Sequence, residues 1–105
     1  MNFKERSETL GLEEDEYVEL FQLFVETSMT DLEKLQCAID NANSDSIAGI
    51  AHSLKGAAVN LGLEEFYRIA KEIEKTAQDG RLEEITKLIL MLQEKLVRVA
   101  DGVTY

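Results

Sequence analysis

Gly49, His52, Lys55 and Gly56 place one imidazole, one ammonium and two bare backbone positions within two helical turns of each other. An unperturbed imidazole titrates at about pH 6.5, so at neutral pH one ring nitrogen keeps a free lone pair and the ring can act as a nucleophile. Lys55 lies one turn on. From there its ammonium can reach oxygens of a group attached to the ring, the charge-assisted contact that a phosphoryl group needs. Gly56, four residues on, and Gly49, three residues back, lack a side chain just where one would crowd the ring, so a second molecule can come close. Glycine inside a helix costs roughly 0.5–1 kcal/mol relative to alanine, which points to a requirement for access. A nucleophilic histidine also needs its second nitrogen held by an acceptor. Glu74 is the candidate, because it stands one turn after Ala70 and beside Ile73, where an antiparallel neighbour would bring it next to His52.

The elements that must position these groups follow from periodicity. Ile47, Ile50, Ala51, Leu54, Ala57, Ala58 and Leu61 recur at three- and four-residue steps and form one helix face. His52 falls outside that stripe, on the opposite side with Ala48, Gly49, Lys55, Gly56, Val59 and Asn60, which predicts a solvent-facing ring. The turn cluster at residues 41–46 offers Asn43 or Ser44 as N-cap, and the helix stops near Gly62. Leu63, Phe66, Ile69, Ala70, Ile73 and Ala77 define the next helix, with Arg68, Lys71 and Lys75 on its exposed side and Gly80 placed for a left-handed stop. Before the histidine, one long helix from residue 12 to about residue 41 carries Tyr17, Leu20, Phe21, Phe24, Ser28, Leu32, Leu35 and Ile39 on its stripe. Cys37, between Leu35 and Ile39, reads as a small hydrophobe. A final helix from about residue 82 to 100 buries Leu82, Ile85, Leu88, Ile89, Leu92, Leu96 and Val99, with Gly102 beyond its end. Phe3, Arg6, Ser7 and Leu10 suggest a short first helix ending at Gly11. Short connections force neighbours antiparallel, so the expected fold is all-α: an antiparallel up-down four-helix bundle with a short additional N-terminal helix, one domain over residues 1–105.

Composition narrows the partners. There is no proline, and 21 acidic against 11 basic side chains give a net charge of −10, which disfavours nucleic acid and anionic membrane and favours a protein partner. The lone Cys37 cannot form an internal disulfide and suits a reducing compartment. No signal peptide or apolar span of eighteen residues is visible, so a cytoplasmic protein is expected. One histidine and one cysteine are too few ligands for a metal or haem site. No Gly-rich phosphate loop appears either, so no cofactor is expected and no phosphorylation from ATP.

The run His52-Ser53-Leu54-Lys55-Gly56-Ala57-Ala58-Val59-Asn60-Leu61-Gly62 closely resembles the signature of histidine-containing phosphotransfer (HPt) domains. The likeness continues through the long preceding helix, Glu64-Glu65-Phe66, Lys71-Glu72-Ile73-Glu74 and a terminal amphipathic helix. It implies a phosphorelay carrier: His52 accepts a phosphoryl group on its distal ring nitrogen from the aspartyl phosphate of a receiver domain and passes it to another receiver. It also implies that Lys55 neutralises phosphoryl oxygens, that Gly56 gives access, and that Glu74 occupies the position bonding the other ring nitrogen. The partners implied are response-regulator receivers, which would supply the Mg²⁺, and a sensor or hybrid histidine kinase.

Because receivers and this chain are both acidic, docking is expected to be local and largely apolar, over Ala48, Gly49, Val59, Asn60 and neighbouring residues of the long helix, with Lys55, Arg68 and Lys71 relieving charge. A monomeric, stand-alone carrier is expected. Two alternatives stay open at this level: a helical adaptor in which His52 is incidental, and the phosphoryl-accepting domain of a chemotaxis-type kinase.

Overall fold

The computed structural model describes residues 3–101, with side chains through residue 98. Its five helices are α1 (Phe3–Thr9), α2 (Glu14–Asp40), α3 (Ser44–Asn60), α4 (Glu64–Gln78) and α5 (Leu82–Asp101). The turns between them are set locally. The Asn43 side chain accepts a hydrogen bond from the Ser46 N–H at 3.1 Å and so caps the start of α3. At the other end, Gly62 takes a φ of +70°, and the N–H groups of Gly62 and Leu63 bond back to the carbonyls of Val59 and Ala58. This left-handed stop reverses the chain over residues 61–63 and starts α4 antiparallel to α3. Gly80 does the same after α4. The turn between α2 and α3 uses Ala42 at φ +51° instead, a conformation that disfavours a Cβ.

Sequential antiparallel packing then closes a four-helix bundle. α2 packs on α3 and α5, α4 packs on α3 and α5, and α1 lies against α2. The core is continuous, from Tyr17, Phe21, Phe24 and Leu35 of α2 through Ile47 and Leu54 of α3 and Ile73 of α4 to Ile85, Ile89, Leu92 and Leu96 of α5. Each large apolar side chain fully withdrawn from water contributes about 1.5–3 kcal/mol. Phe3 of α1 meets the aromatic half of α2, with ring centroids 6.0 Å from Tyr17 and 5.3 Å from Phe21. The chain is therefore the expected all-helical bundle with a short leading helix.

α2 departs from expectation at one stripe position, Leu20, and at Cys37 beside the stripe. Leu20 is 45% exposed instead of buried. Cys37 is exposed and is not a core residue; at about 100° per residue it points some 200° away from Leu35, whereas Ala38 turns inward. Val99 and Gly102, assigned to the last helix and its end, lie outside the described side chains and residues respectively. Among the described residues no helix is long and apolar enough to cross a membrane.

Candidate functional site

α3 and α4 approach closely because the positions between them are small: Ala51, Ala58, Ala70 and Ala77 are all essentially buried. Across this seam the antiparallel register sets His52 opposite Glu74. The His52 side chain is 68% exposed, while that of Glu74 is only 14% exposed. His52 Nδ1 lies 2.8 Å from Glu74 Oε2, and the Lys55 ammonium donates to Glu74 Oε1 at 2.6 Å. One carboxylate thus receives the imidazole and the ammonium on its two oxygens.

The electrostatics fix the tautomer. Lys55, by its hydrogen bond, is the main cause holding the Glu74 carboxyl below its ordinary value; the bond from His52 adds to it, against partial desolvation pushing the other way. An ionised carboxylate can only accept, so Nδ1 must carry the proton and donate it to Glu74. In the neutral ring Nε2 then keeps the lone pair. The arrangement presents an oriented nucleophile with one cation a single turn away.

The remaining residues singled out from the sequence divide into those near the ring and those turned from it. Gly49 and Gly56 flank His52 on the exposed face, and a Cβ at either would meet nothing within 4 Å, so packing inside this chain does not require glycine there. Ala48 is half-buried, and Val59 and Asn60 are exposed on the same helix. Lys71 lies on the Glu74 side of α4, its ammonium 5.9 Å from the centre of the Tyr67 ring. Arg68 sits about 120° round the helix from Glu74 and pairs with Glu64 at 3.8 Å; the structure does not bring it to the ring.

Two features were not singled out from the sequence. The first is an open, largely apolar groove of about 440 Å³ between α2 and α3, with Leu20, Leu23 and Phe24 on one wall and Ser53, Ala57 and Asn60 on the other. Leu23 is 59% exposed; an apolar residue off the core stripe of α2 was the available signal. The second is a pair of fasteners on the turn after α3. The buried Tyr17 hydroxyl donates to the Leu61 carbonyl at 2.8 Å, and the Arg6 guanidinium donates to the Gly62 carbonyl at 2.6 Å. Burial raises the Tyr17 phenol above its ordinary value, with Arg6 opposing. Among the described residues, no cluster of three or more His, Cys, Asp or Glu side chains could hold a metal ion.

Comparison with known proteins gives two findings. The family model described as the Hpt domain matches residues 19–102. The fold is similar to the crystal structure of histidine-containing phosphotransfer protein B (HptB) from Pseudomonas aeruginosa PAO1, with a TM-score of 0.84 and 28% identity, covering 96% of this chain and 85% of that one. No curated protein matches the chain significantly.

Proposed function

The chain belongs to the Hpt domain family, and from that premise we propose that it is a phosphoryl carrier between receiver domains, with His52 as the acceptor. The observation that supports this most is the shared carboxylate of Glu74, which bonds Nδ1 of His52 and the ammonium of Lys55 together. In the transfer, the Nε2 lone pair attacks the phosphorus of an aspartyl phosphate. The bond from phosphorus to the aspartyl oxygen breaks, the aspartate leaves as a carboxylate, and an N–P bond forms. The Nδ1 proton stays on the ring, which becomes cationic, and Glu74 offsets that charge. Lys55 turns from Glu74 to the phosphoryl oxygens. The reverse steps deliver the group to a second receiver.

Placement and charge compensation are all this chain needs to contribute. The receiver supplies the aspartate and the Mg²⁺, and a sensor or hybrid kinase supplies the phosphoryl group upstream, so this chain acts without ATP of its own, as a cytoplasmic monomer. Docking runs over Ala48, Gly49, Val59 and Asn60 and into the neighbouring α2–α3 groove, with Lys71 at the α4 edge. The test is incubation with a phosphorylated receiver. Acid-labile, alkali-stable label is expected on the unaltered chain and none on His52→Gln, whose helical spectrum and melting stay near those of the unaltered protein because the ring is exposed. Undiminished label on His52→Gln would refute the assignment.

A further inference from the structure

Transfer to His52 leaves Glu74 short of a partner. In the free protein both of its oxygens are met, Oε2 by the imidazole and Oε1 by the Lys55 ammonium at 2.6 Å, and Lys55 is the main influence keeping the carboxyl below its ordinary value. Once Lys55 swings to the phosphoryl oxygens, Oε1 is unmet on a carboxylate that is largely out of water, at the moment when that carboxylate must offset an imidazolium. α4 carries a second cation in position to answer this. Lys71 stands three residues before Glu74, one turn away and about 60° round the helix, and because α3 and α4 run antiparallel it lies across the seam from Lys55. Its ammonium rests 5.9 Å from the centre of the Tyr67 ring. Among the described residues it makes no ion pair. The residues three and four positions from it on α4 are Tyr67, Arg68, Glu74 and Lys75, so Glu74 is the one acid that faces it along the helix.

Resting on the carrier reading above, we infer that Lys55 and Lys71 exchange places on Glu74: when Lys55 leaves to hold the phosphoryl group, Lys71 moves from the Tyr67 ring to Glu74 Oε1, and it moves back when the group is passed on. The exchange keeps one cation on Oε1 in both states. Breaking the Lys55 pair is thereby offset, and Lys55 is released to the phosphoryl oxygens. A cation over an exposed aromatic face is held weakly, which suits a resting place that must be given up in every cycle. Lys71 is a positioning residue, since it touches Glu74 and not the phosphoryl group. Its effect is on the equilibrium: by making Lys55 available, it favours the phosphorylated chain over the free one.

The test reads the equilibrium of His52 labelling by phosphoramidate, a small donor that needs no docking, at fixed ammonia concentration and by phosphorus NMR. Lys71 is exposed, so its variants keep the fold. Lys71→Met should lower the equilibrium ratio of phosphorylated to free chain about two- to fivefold, the weight of a partly exposed ion pair, and Lys71→Arg should leave it near that of the unaltered chain. In a double-mutant cycle, Lys71→Met made on Lys55→Met should change nothing, because Lys71 then pairs with Glu74 before and after phosphorylation alike. An equilibrium unmoved by Lys71→Met, or one lowered as much without Lys55 as with it, would overturn the exchange and leave the carrier reading in place; the second result is that of a cation acting on the phosphoryl group directly. An unaltered chain that phosphoramidate and every phosphorylated receiver leave unlabelled would overturn both.

Discussion

Removing the Glu74 carboxylate isolates what orientation contributes to phosphoryl transfer. In Glu74→Ala the imidazole loses its 2.8 Å partner, and either ring nitrogen is free to carry the proton. A hydrogen bond to a charged group contributes about 1.5–3 kcal/mol where water is excluded. With 68% of the His52 side chain exposed, solvent competes, and about 1–1.5 kcal/mol is the reasonable share. That corresponds to transfer slowed roughly five- to twelvefold. The same variant frees Lys55, whose 2.6 Å bond to Glu74 otherwise competes with the phosphoryl oxygens, and this returns part of the loss. Glu74→Ala combined with Lys55→Met separates the two effects in a double-mutant cycle. Glu74→Gln, which keeps an acceptor without the charge, should fall between. The assay is rapid-quench transfer from a saturating phosphorylated receiver, so that docking does not limit, together with nitrogen NMR of the imidazole to read which nitrogen is protonated. Wild-type rates and an unchanged tautomer balance in a correctly folded Glu74→Ala protein would refute the reasoning.

Gly56→Ala should raise stability by about 0.5–1 kcal/mol, since the added methyl meets nothing within 4 Å, and should slow transfer from a receiver while sparing labelling by phosphoramidate; thermal melts and transfer kinetics read the two effects separately. Tyr17→Phe leaves the buried Leu61 carbonyl without its 2.8 Å donor, so a loss of about 1–2 kcal/mol, or about 5–10 °C in melting temperature, is expected by calorimetry. The depressed Glu74 carboxyl makes a stabilising contribution that is complete above its ordinary value of 4.5 and is lost as pH falls through the lower folded value. Urea titrations between about pH 5 and pH 3 should therefore show a flatter acid limb for Glu74→Gln than for the unaltered chain, and parallel limbs would contradict the linkage.

The helices, their stops at Gly62 and Gly80 and the outward placement of His52 were legible because each depends on residues close together in sequence. Glu74 could be named as well, since short turns fix an antiparallel register and leave few positions opposite His52. What periodicity could not supply was the difference between the two ends of α2. Leu20 and Ala38 stand at nearly the same angle to the stripe, yet Leu20 is exposed and Ala38 buried, because the bundle closes over the second half of the helix and opens into a groove along the first. Cys37 was misplaced by proximity in sequence: two residues along a helix is the opposite face. The bonds from Tyr17 and Arg6 to the end of α3 were invisible, since each joins residues far apart in the chain through a backbone carbonyl that has no sequence signature.

Those two bonds govern leverage. His52 and Glu74 sit on separate rods pivoting at residues 61–63, and His52 is nine residues, about 14 Å, from that pivot. A tilt of about 5° there would sweep the ring by about 1 Å, enough to part it from the carboxylate under ordinary hydrogen-bond limits. By pinning the pivot from the first helix and the start of the second, Arg6 and Tyr17 give the opening turns of the chain a mechanical hold on chemistry performed halfway along it.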